Sequence, residues 1–228
     1  MFFRLRIDFE KRGRLRFLSH LELARALERT IRRAQLPYAI SRGFNAHMRF
    51  APGPALPVGT IGLDEHFDVW LTEYLDPGEV LVRLQNSSVK DLEITAISYV
   101  DPKAKGLQAT HTYEEYQVII NSVVLDPNVI ADNLCRVIAA GTLMVRRGSR
   151  EKVYDLERMV EKMPEVHRLR DDTLEIKLNL RATEQGSIRP EALIRAALSK
   201  KEGWALHSVT RTRLCADGLI SAAEDRCL

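Results

Sequence analysis

Two histidines, a serine and a string of arginines near the amino terminus are the residues of this chain best equipped for chemistry. Ser19 and His20 stand at the start of an expected helix, where the helix dipole disfavours imidazolium and leaves a neutral ring. A neutral His20 is a competent general base. His47, in a loop after a glycine-containing turn, or an arginine would then act as acid or charge stabiliser in RNA cleavage. The same two histidines could instead contribute metal ligands, but no carboxylate at a standard zinc spacing accompanies them. Ser19 can hold a phosphate through its hydroxyl and the free backbone donors of the helix start, or it can simply cap the helix. Arg14, Arg16, Arg25, Arg29, Arg32, Arg33, Arg42 and Arg49 offer guanidinium forks that suit phosphate oxygens. Tyr38, Phe44 and Phe50 are interleaved with them, and exposed aromatic rings stack on unpaired bases. Gly43 allows a positive φ or a close backbone approach, and Asn45 can read a base edge or cap a turn. The competing reading of these residues is a solvated helix face with pairs such as Glu28–Arg32 and aromatics in the core. No Walker phosphate loop, GxGxxG, GxSxG or HExxH occurs.

Charge is distributed unevenly. The first sixty residues hold 12 Lys/Arg against 4 Asp/Glu, and the remaining 168 hold 22 against 27. A net of +8 followed by −5 points to an anionic partner for the first part of the chain.

The elements that must position these groups follow from periodicity. Residues 2–9 alternate as a strand, 10–13 form a hairpin-like break, and 15–18 resume extended structure. Ser19-x-x-Glu22 is a capping box. Leu23, Ala24, Leu27, Ile31 and Ala34 form the apolar stripe of the helix that follows, and Pro37 ends it. Residues 38–40 read as extended, 41–45 as a turn, and 46–60, with its prolines and glycines, as an irregular loop. Strands are expected at 66–71 and 92–100, with a helix from Asp76-Pro77 through Leu84 between them. Residues 101–110 are polar and read as a linker. The order then repeats: a strand at 113–120, a helix from Asp126-Pro127, strand material at 142–145 and 153–160, a strand at 174–180, a helix from Pro190 and a strand at 204–212. Both halves therefore read β-α-β-β-α-β. The expectation is an α+β protein of two tandem ferredoxin-like halves with antiparallel sheets, over residues 1–103 and 108–216, with a tail at 217–228.

Bulk properties agree with an ordinary globular protein: 45% hydrophobic and 29% charged residues, with no apolar run long enough to span a bilayer. A cytoplasmic location with no membrane association is the expectation. The cysteines, Cys135, Cys215 and Cys227, contain no CxxC pair, so neither a disulfide framework nor a metal or other cofactor is expected. Cys135 should be buried on the apolar side of its helix. His66 and His207 fall in strands as core or edge residues, whereas His111 and His167 read as exposed. Arg146, Arg147 and Arg150 make a second, smaller basic patch on a solvated loop.

Residues 15–20 (LRFLSH), Arg29, Arg32, Arg33, Leu36, Pro37, Ser41, Gly43, Phe44, Asn45, His47 and Arg49 together resemble the hallmark phrase of the bacterial radical SAM-linked protein family. The resemblance is strong over residues 1–100 and looser beyond. Glu22 stands where the phrase has aspartate, and Ala46 and Met48 stand where it has prolines. The resemblance implies a partnership with, or fusion to, a cobalamin-binding radical SAM protein. This chain has no CxxxCxxC motif of its own, so it would not be the radical enzyme.

Three functions are therefore in view. One is a non-catalytic accessory module that binds RNA or another polyanion and works with a radical SAM partner. The second is a metal-independent RNA endonuclease using His20, similar in layout to CRISPR-repeat-processing enzymes. The third is a protein-interaction scaffold whose basic face meets an acidic partner.

Overall fold

The structure is a computed structural model that describes residues 2–42, 44–183 and 186–216. Gly43 and the expected tail at 217–228, with Cys227, lie outside the described residues. The chain divides into two compact units, Met1–His111 and Thr112–Leu228, each a mixture of helices and antiparallel strands.

Unit 1 contains β1 (Phe3–Lys11), a 3-10 turn (Gly13–Phe17), α1 (His20–Arg33), β2 (Phe50–Pro52), β3 (Ile61–Leu71), α2 (Pro77–Ser87), β4 (Leu92–Val100) and the one-turn α3 (Leu107–Thr110). Its strands pair antiparallel in the order β4-β1-β3-β2. Alternation in β1 sends Leu5, Ile7 and Phe9 to one face and Arg4, Arg6 and Asp8 to the other. In β3 the same rule buries Phe67, Val69 and Leu71 and turns His66, Asp68 and Trp70 to the second face. The apolar face packs on Leu23, Leu27 and Ile31 of α1 and on Val80 and Leu84 of α2. The second face is charged. Asp68, fully buried, accepts from Arg4 (3.0 Å and 2.6 Å) and Arg6 (3.0 Å). Arg4 also donates to the Ala104 and Lys105 carbonyls. A buried carboxylate is tolerated only with such partners.

Both helix starts read from the sequence are present. Ser19 and Glu22 complete the capping box, and Asp76 accepts from the Glu79 N–H with Pro77 in the first turn. The end of α1 is a Schellman turn. Gln35 takes φ 52°, its N–H donates to the Arg32 carbonyl, and the Leu36 N–H reaches the Ile31 carbonyl.

Three expectations for this unit need correction. Residues 15–18 are not extended but lie largely in the 3-10 turn, where the Leu15 N–H bonds the Arg12 carbonyl and the Leu18 N–H bonds that of Leu15. Gly13 makes that turn possible: its φ is +49°, and a Cβ there would sit 2.2 Å from the Asp91 carboxylate. The 46–60 segment holds a strand, β2, whose Pro52 is acceptable in a short strand that needs few ladder donors. The 101–110 segment is no free linker: its carbonyls accept from Arg4, and Leu107 is buried.

Unit 2 contains β5 (His111–Asn121), α4 (Pro127–Ala139), β6 (Thr142–Arg147), β7 (Arg150–Asp155), the one-turn α5 (Leu156–Met159), β8 (Val160–Arg170), β9 (Thr173–Arg181), α6 (Pro190–Ala197) and β10 (Ala205–Ala216). The sheet order is β10-β5-β9-β8, and β6 and β7 form a separate two-stranded sheet. Val118, Ile120, Ile130, Leu134, Ile176, Leu178 and Leu193 build its core. Residues 156–159, expected in a strand, are helical because Asp155 caps them by accepting from the Arg158 N–H. β8 escaped the sequence reading: its outward residues are polar, Pro164 interrupts it, and its register against β9 shifts three times. Cys135, expected buried, is only half-buried. Among the described residues no helix is long and apolar enough to cross a membrane.

Replacing Asp68 with alanine leaves two guanidinium groups without their buried counter-ion. We expect a loss of about 3–5 kcal/mol in the stability of unit 1, measured as a lowered urea midpoint by Trp70 emission in a Trp204→Phe background.

Candidate nucleic-acid interface

The arginines of α1 share one face. At 3.6 residues per turn, Arg25, Arg29, Arg32 and Arg33 fall within an arc of about 100°, opposite the buried Leu23, Leu27 and Ile31. All four are exposed. Arg32 approaches Glu28 at 4.0 Å and lies 5.8 Å from the Tyr38 ring. Arg25, Arg29 and Arg33 have no ion-pair partner among the described residues. Arg14 and Arg16 stand apart from this face, on the 3-10 turn. Arg14 is exposed, with its backbone N–H on Asp91, and Arg16 lies half-buried, 4.8 Å over the Phe17 ring.

Ser19 is engaged within α1. Its hydroxyl donates to the Glu22 carboxylate at 2.7 Å and accepts from the Glu22 N–H, while the Ser19 N–H donates to the same carboxylate at 2.8 Å. Those bonds hold the Glu22 carboxyl below its usual range. The helix start therefore already carries an internal anion. His20 lines a narrow pocket with Glu65, His66 and Gly53, whose volume of about 10 Å³ admits a water-sized group.

After Pro37 the chain makes a hairpin-like excursion over residues 38–49. Tyr38 bridges Leu71, the Ala39 N–H donates to the Trp70 carbonyl, and the Trp70 N–H donates to the Arg49 carbonyl. Ile40 bridges Met48, and the Ser41 N–H meets the His47 carbonyl at 2.7 Å. Buried Ala39 and Met48 anchor the stem. The tip carries Arg42, Phe44, Asn45 and His47, all exposed, and Phe44 is fully so at 105%. Gly43, between Arg42 and Phe44, lies outside the described residues. Tyr38 is half-buried, and its contact with Arg32 links the hairpin stem to the α1 face. Phe50, read beside them as a base-stacking candidate, packs instead on Phe67 at 5.2 Å, in the core. His20 lines the pocket beside Glu65 and His66, whereas His47 is exposed on the hairpin tip.

Sequence reasoning missed a further set of residues. Arg49 lies 4.6 Å over the Trp70 ring and 5.5 Å over that of Phe2. With Asp101, Pro102 and Lys103 these three line an open cleft of about 320 Å³. A neighbouring cleft of about 490 Å³ shares Phe2 and Arg49 and extends to Ile40, Ser41 and Arg42. The pieces come from four separated segments, so no local motif announces them. The available signal was the alternation of β3, which puts Trp70 on the charged face opposite Arg4.

On that face His66 bonds Asp8 at 2.7 Å and approaches Asp64 at 3.4 Å. The His111 ring lies 5.1 Å away and bonds Thr110. His111, expected exposed, is 8% exposed because the docked 101–111 segment carries it onto the sheet. Burial, then the nearby His66 and Arg6, push its pKa down to about 4 against the opposing pull of Asp68 and Asp8. Among the described residues no group of three or more His, Cys, Asp and Glu side chains could hold a metal ion.

Residues 4–190 match a family described as "Uncharacterized protein conserved in bacteria (DUF2344)". The chain belongs to that family. Comparison with curated proteins gave no match. Among solved structures, a Cbf5-Nop10-Gar1 complex aligns at 13% identity with a TM-score of 0.48, over 92% of this chain and 48% of that one. An archaeal box H/ACA sRNP Nop10-Cbf5 complex aligns at 12% identity and a TM-score of 0.45, with the same coverage. This DUF2344 chain thus spans about half the length of those matched chains. A putative glycine cleavage system transcriptional repressor aligns at 10% identity with a TM-score of 0.23.

The His111 shift gives a pH test. The unfolded chain takes up the proton near pH 6.5, and the folded chain only near pH 4. Stability is therefore retained above pH 6.5 and falls as pH drops from 6.5 towards 4. Thermal melts of a His111→Gln variant should show a shallower loss over that window than the parent protein, whatever the offset between the two at neutral pH.

Proposed function

We propose that unit 1 binds RNA, and that the protein acts as a non-catalytic accessory module. One observation carries the reading: Arg25, Arg29 and Arg33 on α1 and Arg42 and Arg49 on the hairpin are exposed without ion-pair partners among the described residues. A structural ion network would pair them, whereas a phosphate-binding surface leaves them open. Fully exposed Phe44 beside Arg42 supplies a face for an unpaired base, and Asn45 supplies an edge contact. Arg14, Arg16, Arg32 and Tyr38 extend the surface. Ser19 contributes by capping α1, which holds Arg25 and Arg29 in register.

The two units are, in this reading, tandem ferredoxin-like halves. The orders β4-β1-β3-β2 and β10-β5-β9-β8 support this, because each matches the split β-α-β arrangement once the β6–β7 hairpin is treated as an insertion. A radical SAM partner rests on the sequence resemblance of residues 15–49, and the RNA held on unit 1 would be presented to that partner.

The test is fluorescence anisotropy of a labelled ten-nucleotide single-stranded RNA over a salt series. Affinity should fall with salt, with a log–log slope of about −0.7 per neutralised phosphate. A triple variant, Arg25→Glu, Arg29→Glu and Arg33→Glu, should flatten the slope by about 2. The RNA should remain intact on prolonged incubation without metal. Salt-independent binding, or a triple variant that binds like the parent, would overturn the reading.

A further inference from the structure

Trp70, at the edge of the charged face, has a buried indole N–H with no hydrogen-bond partner. Buried donors are rarely left in that state, and the Trp70 residue lines the cleft. Beside it, Arg49 lies over both the Trp70 and Phe2 rings with no carboxylate partner among the described residues. Arg42 and Lys103 stand in the walls of the two adjoining clefts, and both are exposed. The acid nearby, Asp101, accepts from the Lys103 backbone N–H and so holds the turn that presents Lys103. The space, about 320 Å³ opening beside about 490 Å³, is of the size small-molecule sites have.

These features define what fits. The ligand needs an acceptor edge for the Trp70 N–H, a flat face for the Arg49 guanidinium and the Phe2 ring, and negative charge for Arg42 and Lys103. We propose that this cleft takes one unpaired nucleotide of a single-stranded RNA. Its base edge accepts from Trp70 Nε1, its ring stacks on Arg49 and Phe2, and its flanking phosphates lie on Arg42 and Lys103. The proposal rests on the RNA-binding reading of unit 1 and adds where a base is held. The hairpin then has two uses: its tip touches the strand through Phe44, and its stem supplies Arg49 to the cleft.

The chain has two tryptophans, so Trp204→Phe leaves Trp70 as the only tryptophan, to be excited at the red edge where tyrosine does not absorb. Titration with a decamer of riboadenylate should change Trp70 emission saturably, with the midpoint that anisotropy gives. AMP should produce the same change at higher concentration, and ribose 5-phosphate should not. In the otherwise native chain, Trp70→Phe keeps a ring and removes the donor, and the decamer should bind about fivefold more weakly. Arg49→Gln, at an exposed position, should cost about tenfold, and it carries the test if Trp70→Phe lowers the melting temperature. If the decamer binds by anisotropy while Trp70 emission stays constant and both variants bind like the parent, the cleft proposal falls and the RNA reading stands. Ribose 5-phosphate acting as well as AMP would overturn the base-recognition part. If AMP perturbs Trp70 while no RNA binds at any salt concentration, the RNA reading falls, and with it the polymer assigned to this cleft.

Discussion

Asp68 is wholly buried on a sheet face that offers it no water, and two arginines keep it there. Much of unit 1 follows from that arrangement. Arg4 donates to the carboxylate through Nε and Nη2, and its guanidinium also reaches the Ala104 and Lys105 carbonyls. Those bonds draw the 101–111 segment onto the sheet, which buries Leu107 and sets His111 beside His66. The same guanidinium lies 5.0 Å over the Trp70 ring, so it helps to fix one wall of the cleft, while the segment it holds provides another. One ion cluster thus ties together a strand pair, a docked segment and a candidate binding surface. The cost of dehydrating Asp68 and Arg4 explains why each of these two has several partners.

Both units pair some of their arginines and leave others exposed, Arg150, Arg170 and Arg195 in unit 2 among them. In unit 2 Arg211 is buried against Glu114, Arg181 meets Glu161, Arg146 meets Glu151, and Arg213 meets Glu115. In unit 1 the interior arginines are paired in the same way, whereas Arg25, Arg29 and Arg33 on the outer face of α1 and Arg42 and Arg49 on the hairpin have no ion-pair partner among the described residues. The charge imbalance along the chain therefore corresponds to a spatial fact. The excess cations are concentrated on exposed elements, where they neutralise nothing internal.

What could be read from the sequence was local. The Ser19–Glu22 box, the Asp-Pro starts of α2 and α4, and the stripe of α1 all depend on neighbours within four residues, and all are present. The arginine face was legible for the same reason, since helical spacing alone places its members. The misreadings have a common cause. β2 exists because β3 offers it a partner, β8 because β9 does, and the docking of 101–110 because Arg4, a hundred residues away in the chain, needs acceptors. His111 looked exposed in a polar stretch, and the same docking buries it. Phe2, Trp70 and Lys103 belong to one surface only after the strands have paired, so no window of sequence contains them together.

Of the cationic residues in the first sixty, every one except Lys11 is an arginine, and Lys11 is itself buried. A guanidinium keeps its proton at any pH at which such a fold survives, and it offers no amine for acylation. The positive surface of α1 and the hairpin is thus a permanent one. Neither acidity nor lysine-directed modification can dim it, and any control over its occupancy must come through competition for the surface or through chemistry at the guanidinium groups themselves.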